Sequence, residues 1–142
     1  MKGDAIPDSD HVARYCKPST IEDGEIMATA FQIRLGEESL SVNWLEYLEC
    51  SNRSEEITMI RNAYSKKLKV TSNAKIAVLN IGNTREKVMS GSDDQRNLEF
   101  KHDPSRQDPS HSGIYNINHE DELISELILS AIEKNNIYPA KA

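Results

Sequence analysis

The run Ala74-Lys75-Ile76-Ala77-Val78-Leu79-Asn80-Ile81-Gly82 is the densest apolar stretch in the middle of the chain. Ile76, Val78 and Ile81 are β-branched. The run is too short to stand as a helix and is closed by Gly82-Asn83. It therefore predicts a strand buried on both faces. Such a strand needs a layer above it and a layer below it. Two amphipathic segments, at about 54–69 and 119–134, can supply them. The strand 75–81 is accordingly expected at the centre of a sheet.

The segment His11–Cys16 reads as a short strand or a first helical turn, stopped by Lys17-Pro18-Ser19. From Ile26 to Leu35, Met27, Thr29, Phe31, Ile33 and Leu35 alternate with Ala28, Ala30, Gln32 and Arg34, which is the period of a half-buried strand. Gly36-Glu37-Glu38 turns the chain. Leu40, Val42 and Trp44 then alternate with Ser41 and Asn43. These two stretches predict an N-terminal hairpin over about 26–44.

Ser54 with Glu55 and Glu56 marks a helix start, and Ile57, Ile60, Tyr64 and Leu68 share one face of that helix. Gly82-Asn83-Thr84 reads as a turn before a short helix, 85–90. Leu98, Phe100 and His102 lie on one face of another strand, and Asp103–Ser112, with two prolines, reads as an exposed loop. Asn118 is the expected cap of the last helix, whose stripe is Leu123, Ile124, Leu127, Ile128, Ala131 and Ile132.

This order gives an α+β fold: one domain over 11–138, with a flexible leader over 1–10 and a tail over 139–142. Its mixed β-sheet carries helices 54–69 and 119–134. A chain of 142 residues can bury about two thirds of its unfolded surface, so such a core needs no staples.

Charge and cysteine content narrow the function. The net charge of −6 argues against general nucleic-acid binding, which draws its affinity from neutralised phosphates. Residues 53–75 run against that trend, with six cations (Arg53, Arg61, Lys66, Lys67, Lys69 and Lys75) against Glu55 and Glu56. They form a solvated helix face or a docking patch for an acidic partner or for RNA. Two cysteines, Cys16 and Cys50, make no disulfide framework, and no signal sequence or membrane-length apolar run is present. The expected setting is cytoplasmic.

Two places could carry chemistry, and the Gly82-Asn83-Thr84 turn before a helix is a third, weaker candidate for phosphate binding. His102, Asp103 and His111 gather imidazoles and a carboxylate near a strand end, suited to proton transfer. His11 would join them if the fold brought it close. His102 shares the Leu98/Phe100 face, so a buried histidine bonded to a carbonyl is the competing expectation. Arg14 and Tyr15 could grip an anion, and Cys16 beside Lys17 could be an activated nucleophile or a small packing residue. Arg61, Lys66 and Lys67 are the binding candidates of the basic stretch. No compact metal motif occurs, and no cofactor is implied. The residues support a protein-interaction or regulatory module with a protein partner, or alternatively a small histidine-based or metal-assisted hydrolase or nuclease using the 102–111 loop.

Overall fold

The structure, a computed structural model, describes residues 2–141. In chain order its elements are strand β1 (His11–Cys16), a small hairpin of β2 (Ile21–Glu22) and β3 (Glu25–Ile26), β4 (Leu40–Trp44) and helix α1 (Arg53–Lys67). Then come β5 (Lys75–Asn80), α2 (Ile81–Gly91), β6 (Glu99–His102), β7 (His111–Tyr115), α3 (Glu122–Ser130) and β8 (Ile137–Pro139). Six strands form one sheet in the order β6-β7-β4-β1-β5-β8, and β2 and β3 pair separately. This is a single α+β domain. Among the described residues every strand pair is antiparallel, not mixed as expected.

The two-faced burial of β5 has the expected cause. Ile76 and Val78 pack with Ala13 and Leu45 against Ile57, Ile60 and Tyr64 of α1. Ala77 and Leu79 pack on the other face with Val12, Ile81 and Val88, and with Ile124 and Ile128 of α3. The sheet is thus sandwiched between α1 on one side and α2 and α3 on the other. β5 is not at the centre, however. It lies one strand in from the edge, because β1 pairs with it along its full length and β8 covers its outer side only over three residues. The middle pair is β1 and β4.

The expected hairpin over 26–44 is not formed. Only Leu40–Trp44 is a strand of the sheet. Ala28–Phe31 is a 3-10 turn that packs its buried Ala30 and Phe31 into the core. The period-two pattern fails at its end, where Leu35 is 80% exposed. Ser125 of α3 donates its hydroxyl to the Phe31 carbonyl (3.1 Å), so tertiary packing fixes this stretch in place of a ladder.

α1 begins as predicted to within a residue. Its cap is Asn52, whose side chain accepts from the Glu55 amide at 2.9 Å. α2 starts directly after β5, with no intervening turn. Asn80 caps it, and the Gly82 amide donates to the Asp8 carbonyl at 2.9 Å. A Cβ at Gly82 would come within 3.1 Å of that same carbonyl, which explains a glycine inside the first helical turn. α3 is shorter than 119–134, since Asp121 takes the cap position and turns its carboxylate back to the Asn118 amide (2.7 Å). Of the leader over 1–10, expected to be loose, residue 1 lies outside the described residues and the remainder contacts the body. Ile6 is buried, Asp8 pairs with Arg85 and Asp10 accepts from the Trp44 indole. At the other end, Ala140 is buried and its amide donates to the Ala74 carbonyl. Among the described residues, no helix is long and apolar enough to cross a membrane.

Candidate functional site

The two middle strands part company halfway along. β1 and β4 are paired at Val12–Trp44 and Ala13–Asn43 and no further. The Leu45 amide donates to the His11 carbonyl, so hydrogen-bonded positions in this ladder fall at 11/45 and 13/43. The next would be 15/41. There the Arg14 side chain intrudes instead. Its Nη1 donates to the Ser41 carbonyl (2.9 Å) and its Nε donates to the Ala30 carbonyl (2.9 Å). The guanidinium thus holds the split open and ties it to the 3-10 turn.

A cavity of about 630 Å³ occupies this split. Because β1 alternates, it sends Arg14 to the α2/α3 side of the sheet and Tyr15 to the α1 side. The cavity wall therefore draws on both faces. Five cations line it, Arg14, Lys17, Arg34, Lys67 and Lys69, against one carboxylate, Glu37. Among the described residues only Lys67 of these cations forms an ion pair within 4 Å, with Asp108. Burial pushes the Arg14 pKa down, opposed by the potentials of Cys16, Tyr64 and Glu37. A guanidinium still stays charged, so the cleft holds a partly buried cation whose hydrogen bonds go to neutral carbonyls.

The α1 side carries a second polar group. Asp108 is only 7% exposed. Its Oδ1 accepts from Asn43 Nδ2 at 2.8 Å, and its Oδ2 takes Lys67 Nζ. The same Asn43 nitrogen donates to Ser110 Oγ at 2.9 Å. The 103–112 segment is therefore not an exposed loop. Asp108, Ser110 and Ser112 are buried, and reciprocal backbone bonds between Ser105 and Asp108 fold the segment on itself.

The histidines do not converge. His111 is at the cleft, with Nδ1 2.9 Å from the Asp103 carbonyl and 3.7 Å from its carboxylate. The Asp103 amide donates back to the His111 carbonyl. His102 pairs in register with Ser112, so it projects from the opposite face to His111. It is 4% exposed, its Nε2 lies 2.8 Å from the Pro109 carbonyl, and its ring packs edge-on against Trp44. His11 lies at the far end of β1 and is held by Glu46, whose carboxylate meets both its amide and its Nδ1 at 2.7 Å. Among the described residues, no group of three or more histidine, cysteine, aspartate or glutamate side chains is placed to hold a metal ion.

The remaining candidates divide the same way. Arg14, Tyr15 and Lys67 meet at the cleft. Arg61 instead anchors β8 by donating to the Pro139 carbonyl (3.0 Å), and Lys66 faces a different cavity beside Tyr47 and Met59. Cys16 is buried, and burial pushes its thiol up to about 12, so it is a packing residue and no thiolate nucleophile near neutral pH. Lys17, Arg34 and Asn43 were not singled out as binding residues from the sequence. None of the three stands out in the sequence, since Asn43 falls with Ser41 on the polar side of the Leu40, Val42, Trp44 alternation. Comparison with protein-family models, with curated proteins and with solved structures returns no match, so the meaning of the cleft rests on the residues that build it.

Proposed function

We propose that this protein is a binding module for a small anionic molecule, held in the cleft between β1 and β4. One observation carries the reading: Arg14 sits partly buried in the split of the sheet, its guanidinium bonded to two carbonyls and to no carboxylate. Holding a cation partly out of water with no carboxylate bonded to it is costly, and an arriving anion supplies that contact. The shape agrees. A concave site of about 630 Å³ falls within the range of about 300–1,000 Å³ typical of small-molecule pockets, whereas protein partners usually meet broader surfaces. A regulatory role of this kind fits a cytoplasmic setting, since both cysteines are unpaired.

Isothermal titration with phosphate, pyrophosphate and citrate tests this. Saturable binding that weakens with added salt is expected. The double variant Lys17→Ala/Lys69→Ala should lose about tenfold in affinity with an unchanged melting temperature, because both side chains lie on the exposed rim. No saturable binding of any anion at millimolar concentration would overturn the proposal.

A second reading is favoured by the position of His111. Its Nδ1 is engaged by Asp103, which leaves Nε2 as the nitrogen able to exchange a proton. If the bound anion is an ester, His111 could take a proton from water as the water oxygen bonds to phosphorus or carbonyl carbon. The ester bond then breaks and the proton passes to the leaving oxygen. Chromatography of the bound ligand after incubation separates the two readings. Intact ligand supports the binding module, and turnover lost in His111→Gln supports the hydrolase.

A further inference from the structure

We propose that the ligand of the cleft is a mononucleotide, its phosphates on Arg14 and its base against Tyr15; this rests on the anion-binding reading above. The charge pattern excludes a lesser ligand. Four cations at the cleft, Arg14, Lys17, Arg34 and Lys69, form no ion pair within 4 Å among the described residues, and Glu37 is the one carboxylate in the wall. A single carboxylate would leave most of that charge unanswered. A phosphate dianion or diphosphate answers it, and a guanidinium suits phosphate oxygens by geometry.

The α1 side of the cleft carries aromatic rings. Tyr64 is buried, with its hydroxyl 3.4 Å from the Ala13 carbonyl. Tyr15 packs on it at a ring separation of 5.2 Å and a tilt of 57°, and remains half-buried at the cleft. It is thus the ring left for a ligand to stack on. Burial pushes its hydroxyl pKa up, which keeps it neutral and adds no repulsion toward phosphate. Thr29, Ser39 and Ser41 also line the cavity and supply hydroxyls and carbonyls at the scale of a sugar. Cations, hydroxyls and an aromatic ring in one cavity are the chemistry that phosphate, ribose and base require. Volume and charge favour the monomer over the polymer. The cavity is bounded at about 630 Å³, and a chain of net charge −6 repels an extended polyanion outside it.

The test is titration calorimetry of the intact chain with ADP, pyrophosphate, ribose 5-phosphate, adenosine and a short single-stranded oligonucleotide. ADP is expected to bind about tenfold or more tighter than pyrophosphate, the gain coming from stacking. Tyr15→Leu should bring ADP down to the pyrophosphate level and leave pyrophosphate unchanged, while Tyr15→Phe should keep the gain. Equal binding of ADP and pyrophosphate to the unaltered protein would overturn the nucleotide assignment and leave the anion site standing. That comparison holds whether or not Tyr15→Leu folds. Tighter binding of the oligonucleotide than of ADP would overturn it in favour of a nucleic-acid end. Silence from every phosphate would overturn both readings.

Discussion

Replacing Lys67 by methionine removes the cation from a carboxylate that has almost no access to water. Asp108 is 7% exposed, and its remaining side-chain partner is Asn43. Breaking a fully buried ion pair costs about 3–5 kcal/mol, whereas an exposed pair is worth at most about 1 kcal/mol. Here one partner is buried and the Lys67 side chain is 43% exposed. Solvent therefore screens part of the loss, and about 2 kcal/mol lies between the limits. With about 2.1 cal/mol/K of unfolding entropy per residue, a chain of 142 residues should lose about 7 °C in melting temperature. Asp108→Asn keeps an oxygen for Asn43 and frees Lys67 to reach water, so it should cost about 1 kcal/mol or less. The double variant should then be more stable than Lys67→Met alone. Differential scanning calorimetry of all four proteins closes the cycle. Strict additivity, or a Lys67→Met melt within a degree of the parent, would show that Asp108 does not depend on Lys67.

Val78→Asp would place a charge among Ile57, Ile60 and Ile76 and should abolish cooperative melting; a soluble variant with a sharp transition refutes the two-faced burial of β5. Alkaline conditions should destabilise the fold through Cys16, whose ordinary thiol value of 9.0 is pushed up to about 12 by burial. Between those values the unfolded chain holds fewer protons than the folded one, so stability falls as pH rises through that window. The buried Tyr64 hydroxyl, also pushed up, extends the fall. Denaturant melts from pH 8 to 11 should show this slope, reduced in Cys16→Ala, and iodoacetamide at pH 8 should label Cys50 but spare Cys16. A flat profile would contradict the burial of the thiol.

The elements legible in the sequence were those whose burial is local. The face Ile57, Ile60, Tyr64 identifies α1 without knowledge of what covers it, and the β-branched run of β5 announces two covered faces. Residues 26–35 misled because alternation also arises when a 3-10 turn dips Ala30 and Phe31 into the core and Leu35 leaves it. No local pattern distinguishes the two; Ser125, nearly a hundred residues away, decides it. The site shows the same division. Arg14 and Tyr15 are adjacent in sequence, and the residue types alone suggested an anion grip. The split that seats Arg14 depends on where β1 stops pairing with β4, which is a property of the assembled sheet. His102 and His111 share one strand end and its loop in the sequence, yet register places them on opposite faces.

The N-terminal segment has a consequence for handling the protein in solution. The Gly3 and Ile6 amides donate to the His102 and Phe100 carbonyls, and the His102 amide donates to the Asp4 carbonyl, so residues 3–6 lie along the outer side of β6. At the opposite margin β8 is three residues long and ends in Pro139, which has no amide to offer. A sheet margin with unpaired backbone groups is a template for strands of other chains. Here both margins are closed by the chain itself. Trimming the first six residues to tidy a preparation would therefore uncover a β6 rim from Phe100 to His102. The shortened protein would gain a sticky edge and a route to aggregation that the longer chain lacks.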